Sequence, residues 1–352
     1  MKKKLNKASL NGFINYGIVI AAFAVLQLLL GRKLLSNSLQ SLLVPACCYV
    51  VMAVSLNLTV GILGELSLGH AGFMSLGAFS GIVASIALQE LIPAAPLRLA
   101  VSMVIGAAFG ALGGVIVGVP VLRLQGDYLA IVTLAFGQII KNIVMVLYVG
   151  VDEKGFHMAV SSNRFELAEG GTAIIKGPMG AVGVAKLATF TAGFILILVT
   201  LFVVQNLMNS RSGRAIMALR DNRIAAESVG IPVTRYKLMA FVTSAALAGA
   251  AGALFGLNYS STVAGKFDFN TSILVLVFVV LGGLGNIRGS VIAAALLYVL
   301  PELLRSFNIT EYRMLIYAVI LILVMLATNN PILRGFFDRV FRRDDEKGGA
   351  AQ

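Results

Sequence analysis

The sequence is short of almost everything a water-soluble fold is built with. Only 12% of its 352 residues are charged, about half of the roughly 25% usual in a soluble domain. That leaves too little polar surface to coat a globule of this size, so a water-soluble enzyme is excluded. The apolar residues, 58% of the chain, must face lipid or one another. Acids are scarcest, 16 against 28 lysines and arginines, for a net charge of +12. In a soluble protein that sign would point to nucleic acid. In a membrane protein its distribution among loops carries the meaning, and no nucleic-acid partner is expected. The only cysteines, Cys47 and Cys48, are adjacent in an apolar run, where neighbours rarely bridge and no second pair completes a metal site. They read as packing. Prolines number 8 against 37 glycines, and in a lipid-embedded bundle glycine serves close backbone approach. No Gly-x-x-x-x-Gly-Lys-Ser/Thr phosphate loop occurs, so any ATP chemistry must come from another chain.

What is present is a series of apolar runs of about 17 to 25 residues, long enough to cross a bilayer. They fall at roughly 13–31, 36–60, 66–88, 99–120, 124–148, 187–208, 238–258 and 312–329. The stretch from Thr271 to Leu304 is interrupted by Gly282, Gly283, Gly285, Asn286, Arg288 and Gly289, and divides into two short spans. The fold class expected is therefore all-α: a polytopic helical membrane protein of about ten spans with broken or short helices and an internal repeat. The first run is too long for a signal-peptide core and lacks a small-residue cleavage site; it is read as a mature span.

Basic residues orient the bundle. Lysines precede span one, six basic residues from Arg211 to Lys237 lie between spans six and seven, and Arg334, Arg339, Arg342, Arg343 and Lys347 follow span ten. The positive-inside rule puts all three segments, and both termini, in the cytoplasm, with even numbers of spans between them. An eight-span count passes the same parity test but carries Arg288 and the glycines through mid-membrane. Residues 1–335 thus form a membrane domain and 336–352 a basic cytoplasmic tail. The polar stretch 150–186 reads as an extracytoplasmic loop or small cap, with its lone His157 a solvated residue.

Gly106, Gly110, Gly114 and Gly118 recur at every fourth position and make a packing face; Ala248, Gly252 and Gly256, and Gly77 and Gly81, repeat the device. A different pattern spans Gly61 to Phe73, where Glu65, Ser67 and His70 sit among glycines. A continuous lipid-facing helix has no reason for these groups, so the chain is expected to break here, as a pathway element or as a tight turn capping span three. Asp127, Tyr128 and Thr133 open span five, with Gln138 and Lys141 on helical spacing; Lys141 must face the interior or snorkel. Asn286 and Arg288 lie in the break at 282–289, comparably placed in the second half, and paired interruptions of this kind mark a transporter's repeat-related pathway. Ser67 and His70 are three apart, as a nucleophile and base would be, but no oxyanion motif accompanies them.

Between spans six and seven, Ser210 or Ser212 can cap one short amphipathic helix ended by Gly230 and Pro232, offering Ile216, Leu219, Ile224 and Val229 to a partner or to the membrane surface. This segment, with Gly213 to Ala215 and Ala225 to Gly230, resembles the coupling loop of ABC importer permeases of the LivM-type branched-chain amino acid family. Gly64 to Phe73, Arg123 to Leu134, Val280 to Gly285 and Leu300 to Leu304 are similar to that family's segments in the same order.

The resemblance implies a transport subunit without enzymatic activity in a plasma (inner) membrane. Its partners would be a second, LivH-type permease, two ABC ATPases that bind the ATP and Mg, an extracytoplasmic binding protein and membrane lipid. No cofactor is expected on this chain. Carried over, Arg211, Gly213, Arg214, Arg220, Arg223, Ala225, Ala226, Glu227 and Gly230 would couple to the ATPase within a loop at 209–236. Glu65, Ser67, His70, Asp127, Tyr128, Thr133, Gln138, Lys141, Asn286 and Arg288 would line or gate the path. Gln138 departs from the family, which often has an acid there, and about 25 residues are inserted before Gly177 to Gly180. Relatives of this pattern also move urea, sugars or nucleosides. An ion-coupled secondary transporter using Glu65, Asp127 or Lys141 is the reading from another class.

Overall fold

The computed structural model describes residues 7–32, 36–122, 124, 126–152, 155–160, 165 and 171–305, with single positions at 315, 319 and 322. Residues Met1–Val299 form one compact unit and Leu300–Gln352 a second. Span ten, expected at 312–329, the basic tail at 336–352, Lys2 to Lys4 and Arg123 fall almost wholly outside the described residues.

Helices α1 (Lys7–Gly31), α2 (Asn37–Asn57), α3 (His70–Ala87), α4 (Ala95–Val121) and α5 (Asp127–Val146) run back and forth, followed by strands β1 (Tyr148–Asp152), β2 (Gly155–Ala159), β3 (Thr172–Lys176) and β4 (Ala181–Val182). Then come α6 (Phe190–Asn209), α7 (Arg211–Asp221), α8 (Arg223–Ser228), α9 (Val233–Gly256), β5 (Ser261–Thr262), α10 (Phe269–Gly282) and α11 (Ile287–Arg305). Among the described residues seven helical segments are long and apolar enough to cross a membrane: Asn37–Ile62, His70–Ala87, Ala95–Val121, Tyr128–Val146, Phe190–Asn209, Val233–Gly256 and Ala264–Gly282. The chain is a helical, multi-pass membrane protein.

Helix starts follow the local chemistry. Ser36, Thr189 and Asp268 cap α2, α6 and α10 by accepting the backbone N–H of Leu39, Ala192 and Thr271, satisfying donors the first turn leaves unpaired. The tightest packing is among α3, α4 and α9. All four regularly spaced glycines of α4 face α9: Gly106 meets Gly249 and Ala253, Gly110 meets Ala245 and Gly249, Gly114 meets Ala245, and Gly118 meets Leu238 and Phe241. The α9 side of this contact is Ala245, Gly249 and Ala253, whereas the expected Gly252 and Gly256 meet Met74, Ala78 and Ile82 of α3. Thus α9 carries two small-residue stripes: Gly252 and Gly256 face α3, while Gly249 and Ala253 of the other meet both α4 and, through Gly77 and Gly81, α3. Helix α2 is buried almost throughout, while α4, α5, α6 and α10 leave apolar faces exposed for lipid or a partner.

The described residues of 150–186, with the start of β1 before them, carry a small sheet, an addition to an all-α expectation. Its strands order β2-β1-β3-β4-β5 with antiparallel neighbours, and Val149, Ile174, Ile175, Ala181 and Val184 are buried. Short alternating segments interrupted by glycine and proline carry too weak a period for the sequence to declare a sheet. β5 comes from the turn after α9 and pairs Thr262 with Ala181 and Ser261 with Val182. In that turn Lys266 lies over the Tyr259 ring at 4.4 Å, and burial raises the Tyr259 phenol above its ordinary value.

Candidate functional site

At the end of the bundle opposite the sheet, two broken segments meet. The first is where α2 stops. Its last turn widens into a π-turn over Leu58–Ile62, and the chain runs irregularly from Leu63 to Gly69 before α3 begins at His70. Gly64 has φ +80, a conformation costly for any residue with a Cβ. The second separates α10 from α11. Gly283 and Gly285 have positive φ, and Asn286 restarts the helix by accepting from Gly289 N at 3.3 Å. The sequence expected both interruptions.

Irregular backbone buried among helices must find partners on neighbouring elements, and here α5, α9, α10 and the end of α2 supply them. Thr133 of α5 accepts from Leu68 N at 3.1 Å and donates to Ala130 O. Ser272 of α10 accepts from Ala71 N at 3.1 Å. Glu65 forms an ion pair with Lys237 of α9, both side chains largely buried. Asn57 joins the two breaks: its Oδ1 accepts from Gly285 N at 2.8 Å and its Nδ2 donates to Ser290 Oγ at 2.9 Å. A buried asparagine in an otherwise apolar helix end is the signal that could have singled it out beforehand.

His70 is buried and its Nε2 lies 2.8 Å from Ser55 Oγ. That hydroxyl donates to Met52 O, so it accepts from the ring and Nε2 carries the proton. Ser67 lies elsewhere, its Oγ buried with no hydrogen-bond partner among the described residues, as is Thr59 Oγ1. The Ser67–His70 dyad of a hydrolase is therefore not formed. Glu65, locked to Lys237, is likewise not a free coupling carboxylate.

The remaining candidates are dispersed. Asp127 is the first residue of α5, and Tyr128, 73% exposed, lies outside the cluster. Gln138 and Lys141 are half-buried on α5, with Lys141 about 12 Å along the axis from Thr133 at 1.5 Å per residue. Tyr128, Ile131, Ile139, Ile143 and Val146 form an exposed face on that helix, beside polar groups that lipid would penalise. Asn286 is exposed and Arg288 half-buried. No group of three or more His, Cys, Asp or Glu side chains able to hold a metal exists among the described residues.

The loop between α6 and α9 corrects the expectation of one helix. It is a hairpin of two, α7 and α8, divided at Asn222, which accepts from Ala225 N and caps the second. Ser210, rather than Ser212, caps the first by accepting from Gly213 N. Ile216 and Leu219 are buried within this protein, Leu219 in a cluster with Ala226 and Val233; only Ile224 and Val229, at 81% and 75% exposure, stand free for a partner. Arg211, Arg214, Ala225, Glu227 and Gly230 are exposed, Gly213 and Ala226 buried and Arg223 half-buried. Arg220 turns inward. Its Nη1 donates to Gly61 O at 2.9 Å, and its stem lies against Gly64.

Residues 38–325 match the profile of a family described as the branched-chain amino acid transport system / permease component. The chain is 34% identical over 292 residues to the high-affinity branched-chain amino acid transport system permease protein LivM of Salmonella typhimurium strain LT2, covering 79% of this chain and 66% of that protein. It thus spans just under two thirds of that relative's length. To the LivH permease protein of the same organism it is 34% identical over 124 residues, 35% of this chain and 40% of LivH. To the fructose import permease protein FruG of Bifidobacterium longum it is 25% identical over 315 residues, 87% and 86% of the two chains. No solved structure matches.

Proposed function

The chain belongs to the branched-chain amino acid transport system permease family, and from this premise we propose that it is the membrane-spanning permease subunit of an ATP-driven importer for branched-chain amino acids. The observation that carries the reading is the 34% identity to LivM over 79% of this chain, against 25% to the fructose permease. A second permease of LivH type would complete the path, and the exposed face of α5, with Gln138 and Lys141 beside it, is suited to that contact. Two ABC ATPases would bind ATP and Mg, docking on the α7–α8 hairpin through Ile224, Val229, Arg211 and Arg214. An extracytoplasmic binding protein would deliver the substrate at the sheet-bearing end. The assembly would sit in the inner membrane with both termini of this chain cytoplasmic. Transport would proceed by alternating access, the hairpin moving with the ATPases and opening the path on the side away from the binding protein.

Reconstitution of the complex with its binding protein tests this. ATPase activity should be stimulated by leucine, isoleucine or valine and not by urea, fructose or nucleosides. Stimulation by fructose or urea alone would refute the amino acid assignment, and uptake by this chain alone, driven by a proton or sodium gradient, would refute the ATP-driven one.

A further inference from the structure

Arg220 hydrogen-bonds the first broken segment and passes beside the second. Nη1 donates to the carbonyl of Gly61 inside the π-turn at 2.9 Å. The same nitrogen lies 3.7 Å from where a Cβ on Gly285 would be, and the side-chain Cγ lies 2.6 Å from the Cβ position of Gly64. The methylene stem therefore rests where no side chain fits. On its outer side the guanidinium is oriented by Asp221, whose Oδ1 accepts from Nε and Nη2 at 3.3 and 3.2 Å. Asn57 fastens Gly285 to the end of α2. Hairpin, first break and second break are thus joined through one side chain and one asparagine.

This arrangement is ill suited to ATPase docking, because Nη1 is spent inside the bundle while Arg211 and Arg214 face outward. It is also a poor stability device. The Arg220 side chain is 42% exposed, and half-exposed charged contacts contribute little to folding. A directional, breakable contact between two segments is what a two-state linkage needs.

We propose that Arg220 is a positioning residue that transmits movement of the α7–α8 hairpin to the paired breaks at Leu58–Gly69 and Gly283–Asn286. This rests on the permease reading above. The experiment is ATP hydrolysed per molecule imported, measured on the complete reconstituted complex, with radiolabelled leucine as probe and fructose as the second probe. Wild type is compared with R220A, R220Q and R220K. The ATPase subunits should co-purify with every variant. The ratio should rise about tenfold in R220A and R220Q, within the range of a single allosteric coupling, and return toward wild type in R220K, whose ammonium still reaches the Gly61 carbonyl. An unchanged ratio in R220A or R220Q overturns the proposal, as does an R220K ratio as high as theirs. If R220A fails to assemble, R220Q decides; failure of both to hold the ATPases makes Arg220 a docking or assembly residue and equally overturns it. A wild-type complex that imports neither probe refutes the permease reading itself, and the proposal falls with it.

Discussion

Replacing Gly249 with alanine adds a single methyl group where three helices cross. An ideal Cβ there would stand 3.0 Å from the Gly110 Cα and closer still to the Gly106 carbonyl oxygen of α4. α9 has little room to shift, because Gly77 of α3 packs against the backbone of Gly249 at the same point. Overpacking of a closed contact costs about 1–3 kcal/mol, and alanine returns about 1 kcal/mol through its helix propensity. The clash is with backbone, which puts this site at the upper end, about 2–3 kcal/mol, so the net loss expected is about 1–2 kcal/mol; Gly249→Val, with a smaller propensity gain and a larger volume, should lose more. Gly265 is the control: nothing lies within 4 Å of its Cβ position and its φ is not in the left-handed region, so Gly265→Ala should change stability by less than about 0.5 kcal/mol. The chain has no tryptophan, so unfolding is best followed by far-ultraviolet circular dichroism during titration of the purified protein with SDS. A Gly249→Ala variant as stable as wild type, or a Gly265→Ala variant equally weakened, would refute the packing argument.

Two further outcomes are checked by the same titration. Lys237→Met strands the Glu65 carboxylate in its buried site and should cost about 3–5 kcal/mol, while the double change Glu65→Leu with Lys237→Met should recover most of it; equal losses in single and double variants would show that the pair itself is not the cause. Asp268→Ala removes the α10 cap and should cost about 1 kcal/mol, with Asp268→Asn close to wild type; an alanine variant without loss would show the cap to be idle.

Elements declared by long apolar runs were legible in the sequence, and so were both interruptions, because glycines and ionisable groups have no place on a lipid-facing helix. The partners across those interruptions were not. Glu65 and Lys237 are far apart in the chain, and each alone looks like an ordinary polar residue near a helix end; only the fold brings them together. Arg220 sits in a basic loop where direction cannot be read, since an arginine aimed at a partner and one aimed at Gly61 have the same sequence neighbours. Asn222, which splits the hairpin, is an N-cap residue type that also occurs mid-helix. Gly249 was hidden by the regularity of the stripe one position away, which serves α3 rather than α4.

The pairing of β4 with β5 also sets an order of events during synthesis. Strands β1 to β4 are complete once Val182 has emerged, but their closing partner is Ser261–Thr262, beyond α6, the hairpin and α9. At about 5–20 residues per second, the ribosome leaves the β4 edge open for roughly 4–16 s. During that interval α9 must be inserted so that β5 arrives beside the waiting edge, and the two-residue length of β4 keeps that edge a poor template for pairing with other chains. The sheet therefore acts as a latch that can fasten only after α9 has been threaded, which ties completion of the cap to correct insertion of the helix at the centre of the bundle.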